Sequence, residues 1–253
     1  MRRAAALVAL ALLIAGCGSG SSSVPRGNPD GRYGPNAVDD YAAVELLRAQ
    51  LIASSDSYYA GGSATDARIQ LQQARAAYDV LAARVRAKDP VVDREVIARF
   101  NVVQRDIRDG IAPDHYRDLV GPLSDQLMDG VSQALVSPKA RSDRGMQAEA
   151  LRRVTTRLAA TYDAAAGGAD QTTTRLAFQV AWGLWRRALS LNTLIRPDLG
   201  SEKDTISNTL ANLRGSAFPN GPRIVDSPPA QKVDRASTKV VDALDKRFGF
   251  EAA

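Results

Sequence analysis

Leu176-Ala177-Phe178-Gln179-Val180-Ala181-Trp182-Gly183-Leu184-Trp185-Arg186-Arg187-Ala188-Leu189-Ser190-Leu191 is the most hydrophobic stretch of the second half of this chain. Phe178, Trp182, Trp185 and Leu189 recur at intervals of four, three and four, the spacing of one helix face. Leu176, Val180, Leu184 and Leu191 cover a second face. A helix that is apolar on two faces must be covered on both. The stretch therefore predicts a long helix over about Asp170–Leu194, stopped by Pro197, at the centre of a body made of other helices.

The rest of the chain supplies those helices. A helix over Ala37–Tyr59 is predicted, with Tyr41, Val44, Leu47, Leu51 and Tyr58 on its apolar face and Gly61-Gly62 as its stop. After Thr65, Leu71, Ala74, Tyr78, Leu81 and Val85 alternate spacings of three and four, the seam of a helix in a bundle. Asp89-Pro90 breaks the chain and restarts it, since Asp is an N-cap and Pro fits the first helical position. The next helix carries Val92, Val96, Phe100, Val103 and Ile107 and ends at Gly110. Pro113 opens a fourth, with Leu119, Leu123, Leu127, Val131 and Leu135 every four residues and a kink or late start at Pro122. Ser137-Pro138-Lys139 reads as the start of a polar connector, with a sub-boundary near 137–146. A fifth helix is expected over Gln147–Ala166, closed by Gly167-Gly168. Beyond Pro197, a short helix from Ser201 and Asp204 to Leu213 and a last one after Ser227-Pro228-Pro229 complete the set. No run alternates like a strand. The expected fold is all-α, a bundle of about seven or eight helices.

The order of features repeats. Leu47-Arg48, Tyr58, Gly61-Gly62, Tyr78 and Leu81 run parallel to Leu151-Arg152, Tyr162, Gly167-Gly168, Trp182 and Trp185. Duplication of a helical hairpin would explain the echo. So would chance in any bundle of amphipathic hairpins.

The N-terminus carries a different signal. Met1-Arg2-Arg3 is followed by an unbroken apolar run from Ala4 to Ala15. That is shorter than the roughly 20 residues of a membrane span and has the form of a secretory signal. Leu13-Ile14-Ala15-Gly16-Cys17 resembles the bacterial lipobox. The resemblance implies cleavage before Cys17, acylation of its thiol with diacylglycerol, and a palmitate-type lipid anchor in the cell membrane. Cys17 is the only cysteine, which suits an exported protein whose thiol is acylated. Gly18 to Gly31 is small, polar and rich in Gly, Ser and Pro, the composition of a linker. The organisation read from the sequence is thus a signal peptide over residues 1–16, a lipid-anchored tether over 17–36, and a helical domain over 37–253 on the extracytoplasmic face.

Composition narrows the function classes. The formal charge is +5, and removing Arg2 and Arg3 leaves +3 without a basic cluster, so nucleic acid is not an expected partner. No Gly-x-Ser-x-Gly elbow or Walker-type phosphate loop occurs, and no catalytic set is identified. The expected role is a non-enzymatic binding or accessory module held at the membrane, beside a membrane-protein partner.

Metal binding is the alternative. The single histidine, His115, rules out a multi-histidine zinc site within the chain. On a helix His115 and Asp118 lie one turn apart and could share a metal; the plain reading is a solvated histidine near a helix start. Pro113-Asp114-His115-Tyr116-Arg117-Asp118 resembles the Gly-x-His-x-x-Glu motif of imelysin-like proteins, with Pro113 in place of glycine and Asp118 in place of glutamate. Tyr58-Tyr59-Ala60-Gly61-Gly62, Ala74 to Asp79, Arg86 to Pro90 and Phe100 resemble the extracytoplasmic helical domain of FTR-type iron permeases. Both resemblances imply an accessory of iron or other metal uptake. Asp79, Glu45 and Asp56 are candidates for an acidic site between helices, or for a solvated helix surface. Trp182 and Trp185 are candidates for a pocket lining or for core packing, and so are Tyr41, Tyr58, Tyr59 and Tyr78.

Overall fold

The computed structural model describes Tyr33 and residues 36–167, 171–224 and 230–250. The described residues are helical throughout their regular structure, with no strand among them. The helices are α1 (Ala37–Tyr59), α2 (Ala64–Lys88), α3 (Pro90–Arg108), α4 (Pro113–Pro122), α5 (Met128–Leu135), α6 (Pro138–Ser142), α7 (Arg144–Ala166), α8 (Gln171–Ile195), α9 (Lys203–Ser216) and α10 (Ala230–Phe248). A π-helical segment, Leu123–Leu127, joins α4 to α5 without a break. Counting those three as one helix, eight are seven residues or longer.

Local chemistry sets the boundaries. Gly61 adopts φ +89°, and the amides of Gly61 and Gly62 bond back to Tyr58 O and Ser57 O, closing α1. Ser63 caps α2 through the Asp66 amide, Asp89 caps α3 through the Val91 and Val92 amides, and Asp143 caps α7 through the Met146 amide. Pro122 does not delay the start: the helix begins at Pro113, passes through Pro122 and continues into the π-helical segment just beyond it. The stretch after Ser137 is not a connector but a short helix, α6, because Ser137 caps the Ala140 amide and Pro138 fits its first turn. The fifth expected helix starts three residues early for the same kind of reason: Asp143, not a residue beside Gln147, is its cap.

Two apolar cores share one helix. Val44, Leu47 and Leu51 of α1 join α2, α3, α4 and α5 in the first core, around Tyr78, Phe100, Tyr116 and Met128. Val38, Tyr41 and Ala49 of the same helix join α7, α8, α9 and α10 in the second. The handover between cores along the chain falls between Val131 and Val136. The central helix is therefore α1, and α8 is the heart of the second core rather than of the whole body. Sequence periodicity pointed to α8 because α1 fills its buried sides with Asp40, Glu45, Arg48, Gln50, Ser54, Ser55 and Ser57.

The two hairpins match in size. α1 and α2 have 23 and 25 residues, and so do α7 and α8. Residues 60–63 and 167–170 link them. Each first helix also carries Glu-x-Leu-Arg, at Glu45–Arg48 and at Glu149–Arg152, with an ion pair across it.

Candidate functional site

The polar residues inside this bundle are where chemistry would be sought, and they are organised around α1. Glu45 is 2 % exposed, and its carboxylate accepts from Arg187 of α8. Arg48, one turn on, lies 3.7 Å from the other Glu45 oxygen and donates to Asp129 of α5. The second hairpin repeats the arrangement. Glu149 accepts from Arg152 at 3.4 Å and Arg153 at 2.9 Å; Arg152 donates to Asp245 of α10 at 2.9 Å, and Arg153 to Asp39 of α1 at 2.6 Å. Burial alone would push the Asp245 carboxyl up, and it does so despite the opposing charge of Arg152. The same holds for Asp40, which burial raises even though Arg84 of α2 donates to it.

Further pairs tie α2 to its neighbours. Arg175 of α8 grips Asp66 through two N–H groups at 2.5 and 2.9 Å, a bidentate geometry that only guanidinium offers. Gln70 donates to Gln179 at 2.5 Å and Gln50 to Gln73 at 3.1 Å. Asp93 accepts from the Tyr78 hydroxyl at 2.8 Å and from Arg86 at 2.7 Å. Burial works against its charge, yet those two bonds hold the carboxyl below its ordinary range.

The candidates read from the sequence separate in space. Glu45, Asp56 and Asp79 form no common acidic site: Asp56 accepts from Trp182 Nε1 at 2.9 Å and Arg186 at 3.0 Å, and Asp79 accepts from Arg75 at 2.9 Å on the exposed side of α2. His115, Asp118 and Asp79 are all exposed. Among the described residues no group of three or more His, Cys, Asp or Glu side chains is placed to hold a metal ion. Cys17 lies outside the described residues. Trp182 and Trp185 pack at 4.9 Å between ring centroids and both meet Phe218, so the pair lines core rather than a pocket. Tyr58 donates to Ile111 O at 2.7 Å and meets Tyr116 edge-on, while Tyr59 is half-exposed beneath the Arg117 guanidinium at 3.9 Å.

A shallow groove of about 550 Å³ runs between α9 and α10, lined by Glu202, Asp234, Arg235, Lys239, Asp242 and Lys246. Its charges are mixed, three acids and three cations, and Lys246 bonds Glu202 at 2.6 Å, which holds that carboxyl below its usual range. No helix among the described residues is long and apolar enough to cross a membrane.

The sequence reading missed Asp66, Asp93, Glu149 and their arginines. The signal for the last was present: an acid three residues before an arginine, in the same Glu-x-Leu-Arg order, in the first helix of each hairpin. What these pairs do is fasten helices. Asp66 and Asp93 take N–H groups from another helix directly, and Glu149 holds Arg152 and Arg153 of its own helix, which in turn reach Asp245 of α10 and Asp39 of α1.

Four buried tyrosines add a pH limit. Burial, followed by the charge of Glu45, lifts Tyr41 to about 12, and burial lifts Tyr162 to about 12. Tyr78 and Tyr116 are raised as well, again chiefly by burial. A group whose folded value is raised favours folding below its unfolded value, here 10.0, and loses that contribution as pH climbs toward the folded value. Stability should hold up to pH 10 and fall steeply between 10 and 12. Tyrosinate absorbance and helical circular dichroism recorded in one alkaline titration check this; ionisation of all seven tyrosines well before any loss of helix would contradict it.

Comparison with family models, curated proteins and solved structures finds no match to this chain.

Proposed function

We propose that the chain is a lipoprotein whose helical body serves, without catalysis of its own, as a binding or accessory module on the outer face of a bacterial cell membrane. The observation that carries the reading is Leu13-Ile14-Ala15-Gly16-Cys17, placed directly after a charged start and a short apolar run. The helical body supports it in one respect: the buried carboxylates are engaged by arginines that join helices, a use consistent with a rigid scaffold. Its partner in this reading is a membrane protein held close by the shared surface.

Metabolic labelling with palmitate in a bacterial host tests the anchor. The full chain should take up label and sediment with membranes. The Cys17→Ser variant should take up none and leave the membrane fraction. Equal labelling of both chains would remove the basis of the proposal.

A further inference from the structure

The point where the tether joins the body selects one end of it. Tyr33 donates to Asp143, the cap of α7, at 3.0 Å. At the same end Arg84 of α2 reaches Asp40 in the first turn of α1. Arg144 bonds Leu194 O at 2.8 Å and pairs with Asp198 beyond α8, and Arg247 of α10 bonds Asp198 O at 2.6 Å. The first turns of α1 and α7 and the last turns of α2, α8 and α10 are thus gathered together.

Three acids of this end turn inward beneath exposed cations. Asp40, Asp93 and Glu202 are buried and accept from Arg84, Arg86 and Lys246. Asp39 and Asp245 accept from Arg153 and Arg152, which lie deeper along α7. Asp89 and Asp143 are engaged as helix caps, Asp198 is half-exposed and paired with Arg144, and Asp39 and Asp204 are the exposed acids among these. Lys88, Lys139, Arg196 and Lys203 are exposed and meet no carboxylate among the described residues, while Arg141 and Arg247 bond only carbonyl oxygens. Cations outnumber acids in the outward layer because Asp40, Asp93 and Glu202 lie buried beneath exposed partners, while Arg152 and Arg153, deeper along α7, pair with Asp245 and Asp39.

We infer that this end is a docking face for an anionic lipid surface, so that the body lies against the membrane by its basic end instead of hanging free from its anchor. The inference rests on the lipoprotein reading for the tether. From Cys17 to Tyr33 the chain can span at most about 55 Å when fully extended. A helix as long as α8 is about 37 Å, so turning the opposite end to the membrane would consume most of that reach. Docking by the tether's own end leaves the tether slack and sets lysines and arginines within a Debye length of the headgroups.

The test uses the unacylated chain from Gly18 onward, which keeps every described residue, and vesicles of phosphatidylglycerol or phosphatidylcholine. Co-sedimentation should occur with the first and not the second, and should weaken as salt rises. The triple variant Lys88→Glu/Lys139→Glu/Arg196→Glu should lose binding by at least about tenfold. Arg68→Glu/Arg117→Glu/Lys232→Glu, reversing three charges at the opposite end, should lose less than about twofold. All six side chains are exposed, so both variants should unfold with the parent. Equal losses in the two triples, or no preference for the anionic vesicle, overturns the assignment. Palmitate uptake at Cys17 reports on the lipoprotein reading independently, so either can fail while the other stands.

Discussion

Gly183→Ala should destabilise the fold by about 3 kcal/mol, at the upper end of what overpacking a core costs. Gly183 sits in the middle of α8, where α8 crosses α1. A methyl group there would overlap Ala49 O of α1 and come to 2.9 Å from Ala53 Cβ. Neither neighbour can yield by rotating a side chain: one is backbone and the other a bare methyl. Relief requires the two helices to separate, and α1 carries residues of both cores, so the shift would loosen both. Gly121→Ala is the control. A methyl group there meets nothing within 4 Å beyond its chain neighbours, so the helix gain of up to about 1 kcal/mol is set against the crowding of a Cβ by the Pro122 ring, and this variant should stay within about 1 kcal/mol of the parent. Urea unfolding followed by circular dichroism measures both. A Gly183→Ala midpoint equal to the parent's would mean that α1 and α8 do not approach so closely.

The elements of this fold were largely readable because their ends are written in short-range chemistry. Gly61-Gly62, Asp89-Pro90 and Pro113 act through their own backbone angles and the amides next to them, so the helices they bound fell where spacing placed them. Asp143 and Ser137 act in the same way but were passed over, and α6 and the start of α7 were missed with them. What could not be read was the position of α1. Periodicity counts apolar residues, and α1 is buried on polar sides too, through groups whose partners lie 44 to 142 residues away in Arg84, Asp129 and Arg187. A carboxylate alone on a helix looks solvated in a sequence; only the fold shows that a guanidinium reaches it. The candidate metal ligands lie apart for a related reason. His115 and Asp118 share a helical turn, but a site needs ligands from other elements to converge there, and Asp79 faces outward from α2 with Arg75.

Arg187→Ala should be at least as damaging as Gly183→Ala, by a different route. Its guanidinium is 16 % exposed and the Glu45 side chain beneath it 2 % exposed. Without Arg187 the Glu45 carboxylate keeps only Arg48, 3.7 Å away and committed to Asp129. Breaking a buried pair from one side costs about 3–5 kcal/mol, because the remaining charge stays out of water. Removing both charges costs less than removing one, since apolar side chains of similar volume can be neutral or stabilising in the same place. Glu45→Leu/Arg187→Leu should therefore be more stable than Arg187→Ala, and the double-mutant cycle should show strong coupling. Gly183 and Arg187 lie one turn apart on α8, so a loss of under about 1 kcal/mol in Arg187→Ala would mean that water screens the pair as it does at a surface. In that case the close approach at Gly183 would be what holds α1 against α8, and the charges would only choose the register in which the two helices meet.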